Sequence, residues 1–336
     1  QSLLDARVVR RTADLVEQHG SNVLFERDVA ELWAAVKPPD WAGPEPVAKA
    51  QDTLDVWIDS GSSSRCVTAM REELRPDGQP FQADMYLEGS DQHRGWFQSS
   101  LMLSLATQDA APYRTVLTHG FMVNADREKV SKSGYEKPRN LDFYVNKWGA
   151  DVMRLWVASQ DFRNDIIVSE ERINTVGEAY RVIRNGLRYQ LSNLFDFDPK
   201  QHTVPDERLS GLDRWVLGRF AELEEEVARA YEASEFHVVF QRLSQFAAVE
   251  LSAIYHDVVK DRLYTDAPDA LRRRSTQTAL HRLAARLCQM LAPILAFTTD
   301  EAWSFIPGCA GDSVHLSQWE PRSFKLSEAE RETWSR

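Results

Sequence analysis

The chain has 336 residues, with 51 acidic and 40 basic side chains, a formal net charge of −11, and 43% hydrophobic and 27% charged residues. This is the make-up of a soluble globular protein of roughly two domains. It excludes a membrane span, for want of any run of about 18 apolar residues, and a basic-then-apolar signal segment at residues 1–5. Cys66, Cys288 and Cys309 are too scattered for a disulfide framework or a four-cysteine zinc site, so a reduced, cytoplasmic setting is expected. The acid excess weighs mildly against nucleic acid as a partner. The chain opens on Gln rather than Met, which raises the expectation that it is cut from something longer.

In chain order, residues 1–36 read as helical and charged. Val8, Val9, Leu15 and Val16 mark a helical face that Gly20 ends, and a second short helix is predicted from Arg27 to Val36. The proline-rich stretch 37–46 breaks regular structure and reads as a linker. With so few apolar anchors, the first fifty residues are expected to pack on something else.

From about 50 to 168 short apolar runs alternate with Gly, Ser and Asp. Strands are predicted at Leu54 to Ile58, Asp84 to Leu87 and Tyr113 to Leu117, with a helix near Arg94 to Leu105. Strand, polar turn, helix, strand is the rhythm of a parallel sheet, whose ligands bind at the carboxyl ends of the strands.

From about 169 the pattern turns helical. Apolar residues recur at steps of three and four in four runs: Tyr180 to Leu194, Leu212 to Tyr231, Phe236 to Val258 and Leu280 to Ile294. Residues 196–211 form the main connection. Thr298-Thr299-Asp300-Glu301 reads as a capping box opening a last short helix.

Four segments carry chemistry. Lys129-Val130-Ser131-Lys132-Ser133 offers mobile cations and small donors, suited to charge developing on a transferring phosphate. Arg127, Lys129, Lys132, Lys137 and Arg139 outnumber Asp126, Glu128 and Glu136, making a positive island in an acidic chain. The competing reading is a solvated Lys/Ser loop. In Glu88-Gly89-Ser90-Asp91-Gln92-His93-Arg94-Gly95-Trp96, Gly89 admits a ligand to the backbone, Asp91 and Gln92 suit a ribose or amino group, and Trp96 offers an apolar wall. Alternatively Asp91 is a helix cap, Gly95 a packing position and Trp96 core. Asp55-Val56-Trp57-Ile58-Asp59-Ser60-Gly61 is either a site edge or a buried Trp followed by a turn. Thr118-His119-Gly120-Phe121 places His119 at a strand end, upstream of the lysine loop.

Taken in order, Leu54 to Gly61, Tyr86 to Phe97, Val116 to Phe121 and Lys129 to Ser133 resemble the second half of a class I aminoacyl-tRNA synthetase core. Lys129 to Ser133 is similar to that class's Lys-Met-Ser-Lys-Ser signature, with Val130 for Met. The Asp-Val-Trp-x-Asp-Ser-Gly and Glu-Gly-Ser-Asp-Gln-His-Arg-Gly-Trp strings resemble the isoleucyl branch over the valyl and leucyl ones, Gly149-Ala150-Asp151 to Ala158 resembles the segment after the loop, and residues 169–320 resemble the anticodon-binding helices. The resemblance implies a partial Rossmann-like parallel sheet followed by an all-α bundle. It divides the chain into a connector returning from an editing insertion (1–50), the C-terminal half of the catalytic domain (51–168), the anticodon-binding domain (169–320) and a tail (321–336).

It also implies roles. Lys129 and Lys132 would be catalytic, and with Ser131, Ser133 and His119 would bind ATP. Glu88, Gly89, Asp91 and Gln92 would hold the aminoacyl-adenylate, with Trp57 and Trp96 beside the isoleucine side chain. The implied reaction is isoleucine–tRNA ligation, with ATP and Mg2+ as substrate, tRNA(Ile) and isoleucine as partners, no membrane and a monomeric parent enzyme.

The departures are as informative. No two of the eight histidines stand three apart, so His-x-Gly-His is absent; His93-Arg94-Gly95-Trp96 has Trp in the second place. The editing domain and the family's zinc segment also have no counterpart, so no zinc site is expected here. The chain is therefore expected to be an internal piece, inactive alone in forming the adenylate. A non-enzymatic tRNA-binding or regulatory module derived from a synthetase is the alternative, and an unrelated nucleotide-binding α/β protein a weaker one. For RNA contact, Arg272, Arg273 and Arg274 lead a basic cluster running to Arg286, with a solvated helix face and ion pairs to the acidic stretch Glu222 to Glu226 as the competing reading. Arg181, Arg184 and Arg188 share a helix face that either meets RNA or braces the two domains.

Overall fold

The computed structural model describes residues 4–75, 78, 81–123, 140–309, 311, 313–321 and 324–335. The lysine loop, Lys129 to Ser133, lies outside them. The chain forms two compact units, Gln1–Tyr86 with Asp91–Thr115 and Leu87–Ser90 with Val116–Arg336.

In the first unit, α1 (Ala6–His19), α2 (Val23–Glu26) and α3 (Val29–Val36) enclose a small core of Leu15, Val23, Trp33 and Val36. Asp5 caps α1 by accepting from the Arg7 amide at 2.8 Å, Gly20 ends it at φ +79°, and Asp28 and Glu31 close a capping box on α3. The proline stretch folds back so that Trp41 meets Trp33 edge to face at 5.3 Å. These residues thus build a core of their own.

The strand expected at Leu54 to Ile58 is not one: α4 (Trp57–Gly61) is a short helix. The Asp55 carboxylate accepts from the Trp57 amide at 2.8 Å and starts the turn, which overrides the apolar run. Leu54 and Val56 stay exposed, while Gly61 seats the helix against α5 (Trp96–Gln108). A Cβ on Gly61 would lie 2.9 Å from both Leu103 Cδ1 and Ser99 Oγ.

The other expected strands form. β1 (Ala83–Gly89) and β2 (Tyr113–His119) are neighbours in one two-stranded sheet. β3 (Met122–Val123) and β4 (Ile166–Ile167) make a second, parallel one, with Met122 opposite Ile166. The parallel α/β part is therefore small.

The second unit continues through α6 (Leu141–Trp148), α7 (Ala150–Ala158), α8 (Glu170–Ser192), α9 (Pro199–His202), α10 (Gly211–Glu232) and α11 (Phe236–Phe246). A π-helical stretch (Ala247–Tyr255), α12 (His256–Val258), α13 (Lys260–Thr265), α14 (Leu271–Leu291), α15 (Ala296–Trp303) and α16 (Glu328–Ser335) follow. Their apolar faces close on one core that includes Ile173, Val216, Val227, Val239, Leu280 and Leu283. Val152, Leu155 and Trp156 of α7 belong to that same core, although they precede residue 169. Asp151 explains the join: its buried carboxylate accepts from the Phe297 and Thr298 amides at 3.3 and 2.6 Å, capping α15. Thr298 to Glu301 accordingly lie inside α15 and open no helix. Asp300 instead accepts from Ser313 Oγ at 2.6 Å and the Val314 amide at 3.1 Å.

Three carboxylates bind this bundle: the buried Asp213 and Glu224 and, four residues beyond α8, the half-buried Asp196. Asp213 is fully buried and accepts from Ser210, Tyr255, Ser275 and Thr276, with Arg262 at 3.5 Å. Glu224 takes Arg286 at 2.6 Å and the Trp319 indole at 3.1 Å. Asp196 takes Arg273 at 2.6 and 3.1 Å.

His256 is 5% exposed, its ring 4.5 Å from that of Tyr189 and its Nε2 3.3 Å from Gln190 Nε2. Burial, aided by the Lys260 charge, pushes its pKa down to about 4. Between the unfolded value, about 6.5, and 4, the unfolded chain takes up a proton that the folded chain refuses. Stability should therefore fall as pH drops through that window, by roughly 3 kcal/mol at its acid end. Urea titrations at pH 7, 5.5 and 4.5 should show a falling midpoint, with a visibly shallower fall in His256→Gln. Parallel curves for the two proteins would remove His256 as the cause.

Candidate functional site

The Glu88-to-Trp96 segment leaves the end of β1, passes through a single-turn 3-10 helix at Ser90–Arg94 and enters α5. Gly89 is buried, whereas Glu88 and Asp91 are exposed carboxylates at the turn. Gln92 Oε1 accepts from the Trp96 amide at 2.9 Å and so serves α5 as its cap, a task sequence reasoning had considered for Asp91. Its side chain lies over Gly95. A Cβ there would fall 2.7 Å from Gln92 Oε1 and 3.0 Å from the Trp57 ring, so the missing side chain of Gly95 leaves room for both.

Trp57 is 41% exposed and so remains available as a wall. Trp96 is more committed. One face stacks on Tyr86 at 4.1 Å with the planes 9° apart, and its indole donates to the Ser60 carbonyl at 2.9 Å. It therefore joins β1, α4 and α5, and only its remaining surface is free to face a ligand. Tyr86 and Ser60 were not singled out from the sequence, because no local spacing reveals a stack between residues on different elements.

At the end of β2, His119 Nδ1 lies 2.7 Å from the Gly120 carbonyl. A carbonyl only accepts, so Nδ1 carries the hydrogen and the neutral ring keeps Nε2 as an acceptor. Gly120 is packed hard. Its amide donates to the Phe162 carbonyl at 2.8 Å, and a Cβ would land 2.4 Å from the Asn164 backbone carbonyl. The Phe121 amide donates to Asp165 at 2.8 Å, and the Ile166 amide to the Phe121 carbonyl at 2.8 Å. The chain leading toward the lysine loop is thus pinned to β4. Gly120→Ala should destabilise by on the order of 3 kcal/mol, since backbone, not a flexible side chain, must give way. Amide exchange at Ile166 and Val168 should speed up together; unchanged exchange at both would mean that the turn absorbs a Cβ.

The arginines sort differently from expectation. Arg272 pairs with Asp266 at 2.6 Å. Arg273 is only 5% exposed and held by Asp196, and Arg274 donates to the Asp196 carbonyl at 2.8 Å. Arg262, Arg282 and Arg286 meet Asp213, Asp206 and Glu224. The cluster's charge is therefore consumed within the fold, which counts against RNA contact by Arg273 and Arg274. On α8, Arg181 pairs with Glu178 at 2.6 Å, while Arg184 and Arg188 are exposed with no ion pair among the described residues. Among the described residues no group of three or more His, Cys, Asp or Glu is placed to hold a metal ion, and no helix is long and apolar enough to cross a membrane.

Residues 4–169 match the family described as tRNA synthetases class I (I, L, M and V), and residues 213–335 match the anticodon-binding domain of tRNA ligase. The chain is 43% identical to the isoleucine–tRNA ligase of Syntrophotalea carbinolica over 97% of its length and 35% of the relative's. It is 46% identical to that of Nitrosococcus oceani (93% and 32%) and 44% identical to that of Moorella thermoacetica (100% and 36%). It thus spans about a third of the length of these relatives. Among solved structures, its fold is similar to LeuRS of Agrobacterium radiobacter K84 in a ternary complex with tRNA and LeuAMS (TM-score 0.62, 16% identity, 87% of this chain and 35% of that one). It is also similar to methionyl-tRNA synthetase of Mycobacterium tuberculosis bound by methionyl-adenylate (TM-score 0.61, 16% identity, 92% and 65%). The chain belongs to the class I aminoacyl-tRNA synthetases, joining a stretch that matches that family to one that matches the anticodon-binding domain of tRNA ligase.

Proposed function

We propose that this chain supplies the adenylate-holding corner, the lysine loop and the tRNA-binding bundle of an isoleucine–tRNA ligase. That enzyme would activate isoleucine with ATP and Mg2+ and pass the isoleucyl group to tRNA(Ile). The observation that carries this reading is the likeness to isoleucine–tRNA ligases over nearly the whole chain, at 43–46% identity.

In this reading the isoleucine carboxylate attacks the α-phosphorus of ATP and pyrophosphate departs. Glu88 and Asp91, exposed at the end of β1, suit the ammonium group and the ribose hydroxyls of the adenylate, and buried Gly89 lets it approach the backbone. Trp57 and the open part of Trp96 bound the side-chain pocket. The free Nε2 of His119 is an acceptor for a polar group of the adenylate. Lys129 and Lys132, with Ser131 and Ser133, neutralise the charge that grows on pyrophosphate. A chain without His-x-Gly-His lacks part of this machinery, so alone it should form no adenylate.

The test is a chimera in which this chain replaces the matching third of the Nitrosococcus oceani relative. Isoleucine-dependent ATP–pyrophosphate exchange by the chimera, with little exchange on leucine or methionine, supports the proposal. A well-folded chimera that exchanges on another amino acid, or on none, refutes it. The alternative, a non-enzymatic tRNA-binding module, is favoured only by the missing His-x-Gly-His.

A further inference from the structure

The isoleucine side chain carries no polar group, so a pocket selects it by where its walls stand. A wall that retreats by about 0.5–1 Å forfeits roughly a quarter to a half of each contact it made. Trp96 is one of the two walls in the reading above, and its placement depends on a residue that has no role in that reading.

Along β1, Met85 and Leu87 are 45% and 55% exposed, whereas Tyr86 between them is 5% exposed and turned inward. Its ring is enclosed by three others. It stacks on Trp96 at 4.1 Å with the planes 9° apart, tilts against Tyr113 of β2 at 4.8 Å and meets Phe97 at 6.3 Å. The edge of Trp96 is pinned as well. Its Nε1 donates to the Ser60 carbonyl at 2.9 Å and lies 3.3 Å from Ser63 Oγ. Ser60 belongs to α4, the helix that Trp57 opens, and Gly61 seats that helix against Ser99 and Leu103 of α5. The two constraints are complementary. The stack stops the indole plane from tilting, and the hydrogen bond stops the ring from swinging within its plane. Trp96 and the helix that bears Trp57 thus form one braced corner, supported from β1 by a single buried ring.

We infer that Tyr86 is a positioning residue of the amino-acid pocket, holding the Trp96 wall where it favours isoleucine over a side chain one methylene shorter. The inference rests on the isoleucine–tRNA ligase reading and deepens it. Tyr86 is buried, so it acts through Trp96 and not on the substrate. Loss of the stack costs isoleucine more than valine, because the longer side chain makes more contact with the wall.

The chimera with the Nitrosococcus oceani relative tests it through isoleucine- and valine-dependent ATP–pyrophosphate exchange. Tyr86→Phe keeps the stack and should match the parent. Tyr86→Leu and Tyr86→Met fill much of the space without a flat face. Each should raise KM for isoleucine about 10-fold and lower the preference in kcat/KM for isoleucine over valine about 3- to 5-fold, with KM for ATP unchanged. A merely structural loss would reduce the amount of active enzyme, and so kcat for every substrate, without moving a KM or the preference. In the whole chain, the Trp96 indole N–H, identified by its absence from the NMR spectrum of Trp96→Phe, should exchange with solvent about 10-fold faster in Tyr86→Leu and at the parent rate in Tyr86→Phe. A folded Tyr86→Leu or Tyr86→Met chimera whose KM for isoleucine and preference equal the parent's overturns the inference and leaves the ligase reading intact. Unchanged indole exchange in Tyr86→Leu overturns it too. A parent chimera without isoleucine-dependent exchange overturns both.

Discussion

Replacing Asp213 by alanine should unfold the helical unit at far lower denaturant, with a loss of about 3–5 kcal/mol. The carboxylate has no exposed surface, and it gathers hydroxyl donors at 2.6 Å from Ser210 and Ser275 and at 2.7 Å from Tyr255. Thr276 adds a bond at 3.1 Å, and Arg262 stands at 3.5 Å. These partners sit at the start of α10, at the end of the π-helical stretch, on α13 and in the first turns of α14. One anion therefore ties four segments together. Its removal strands several buried donors and leaves the Arg262 guanidinium without its counter-charge. Such a loss is a large fraction of the 5–15 kcal/mol that holds a typical domain. Asp213→Asn should cost less, because the amide oxygen still accepts two of the bonds. Equilibrium urea unfolding followed by far-ultraviolet circular dichroism measures both variants. A midpoint for Asp213→Ala equal to that of the parent would show that the network is redundant.

What was legible in the sequence depended on how local the deciding interaction was. The bundle helices were, because Ile183, Leu187 and Leu191, or Val216, Phe220 and Leu223, declare an apolar face within a few turns. The strands β1 and β2 and the turn after β1 were legible for the same reason. Leu54 to Ile58 misled, because a short apolar run does not distinguish strand from helix, and a single Asp55 hydrogen bond decided it. The arginine cluster misled for the opposite reason. Counting charges in a window finds Asp261, Asp266 and Asp269, and the competing reading of ion pairs to the Glu222–Glu226 stretch holds at Glu224, but the partner of Arg273, Asp196, lies 77 residues away along the chain. The same holds at the site. The order of the motifs pointed to the family, but the stack of Trp96 on Tyr86 and the use of Gln92 as a cap follow from tertiary packing.

In the chimera with the relative, Lys132→Ala should lower kcat for isoleucine-dependent ATP–pyrophosphate exchange by about 10²–10³-fold, with KM for isoleucine nearly unchanged. The direction follows from when the charge appears. In the ground state ATP's phosphates are already neutralised in part by Mg2+ and solvent. Negative charge concentrates on the β-phosphate side only as the bond to the α-phosphorus breaks. A cation placed there acts on the transition state more than on bound substrate, so its loss shows in kcat and not in KM. Lys129→Ala should act in the same sense, because both lysines stand in the one five-residue segment. Val130→Met should be close to neutral, since both residues are apolar and neither carries charge. Steady-state exchange over a range of isoleucine and ATP concentrations separates the two constants. A rise in KM for ATP with kcat intact would make Lys132 a ground-state binding residue, and exchange unchanged in both constants would remove the loop from the reaction.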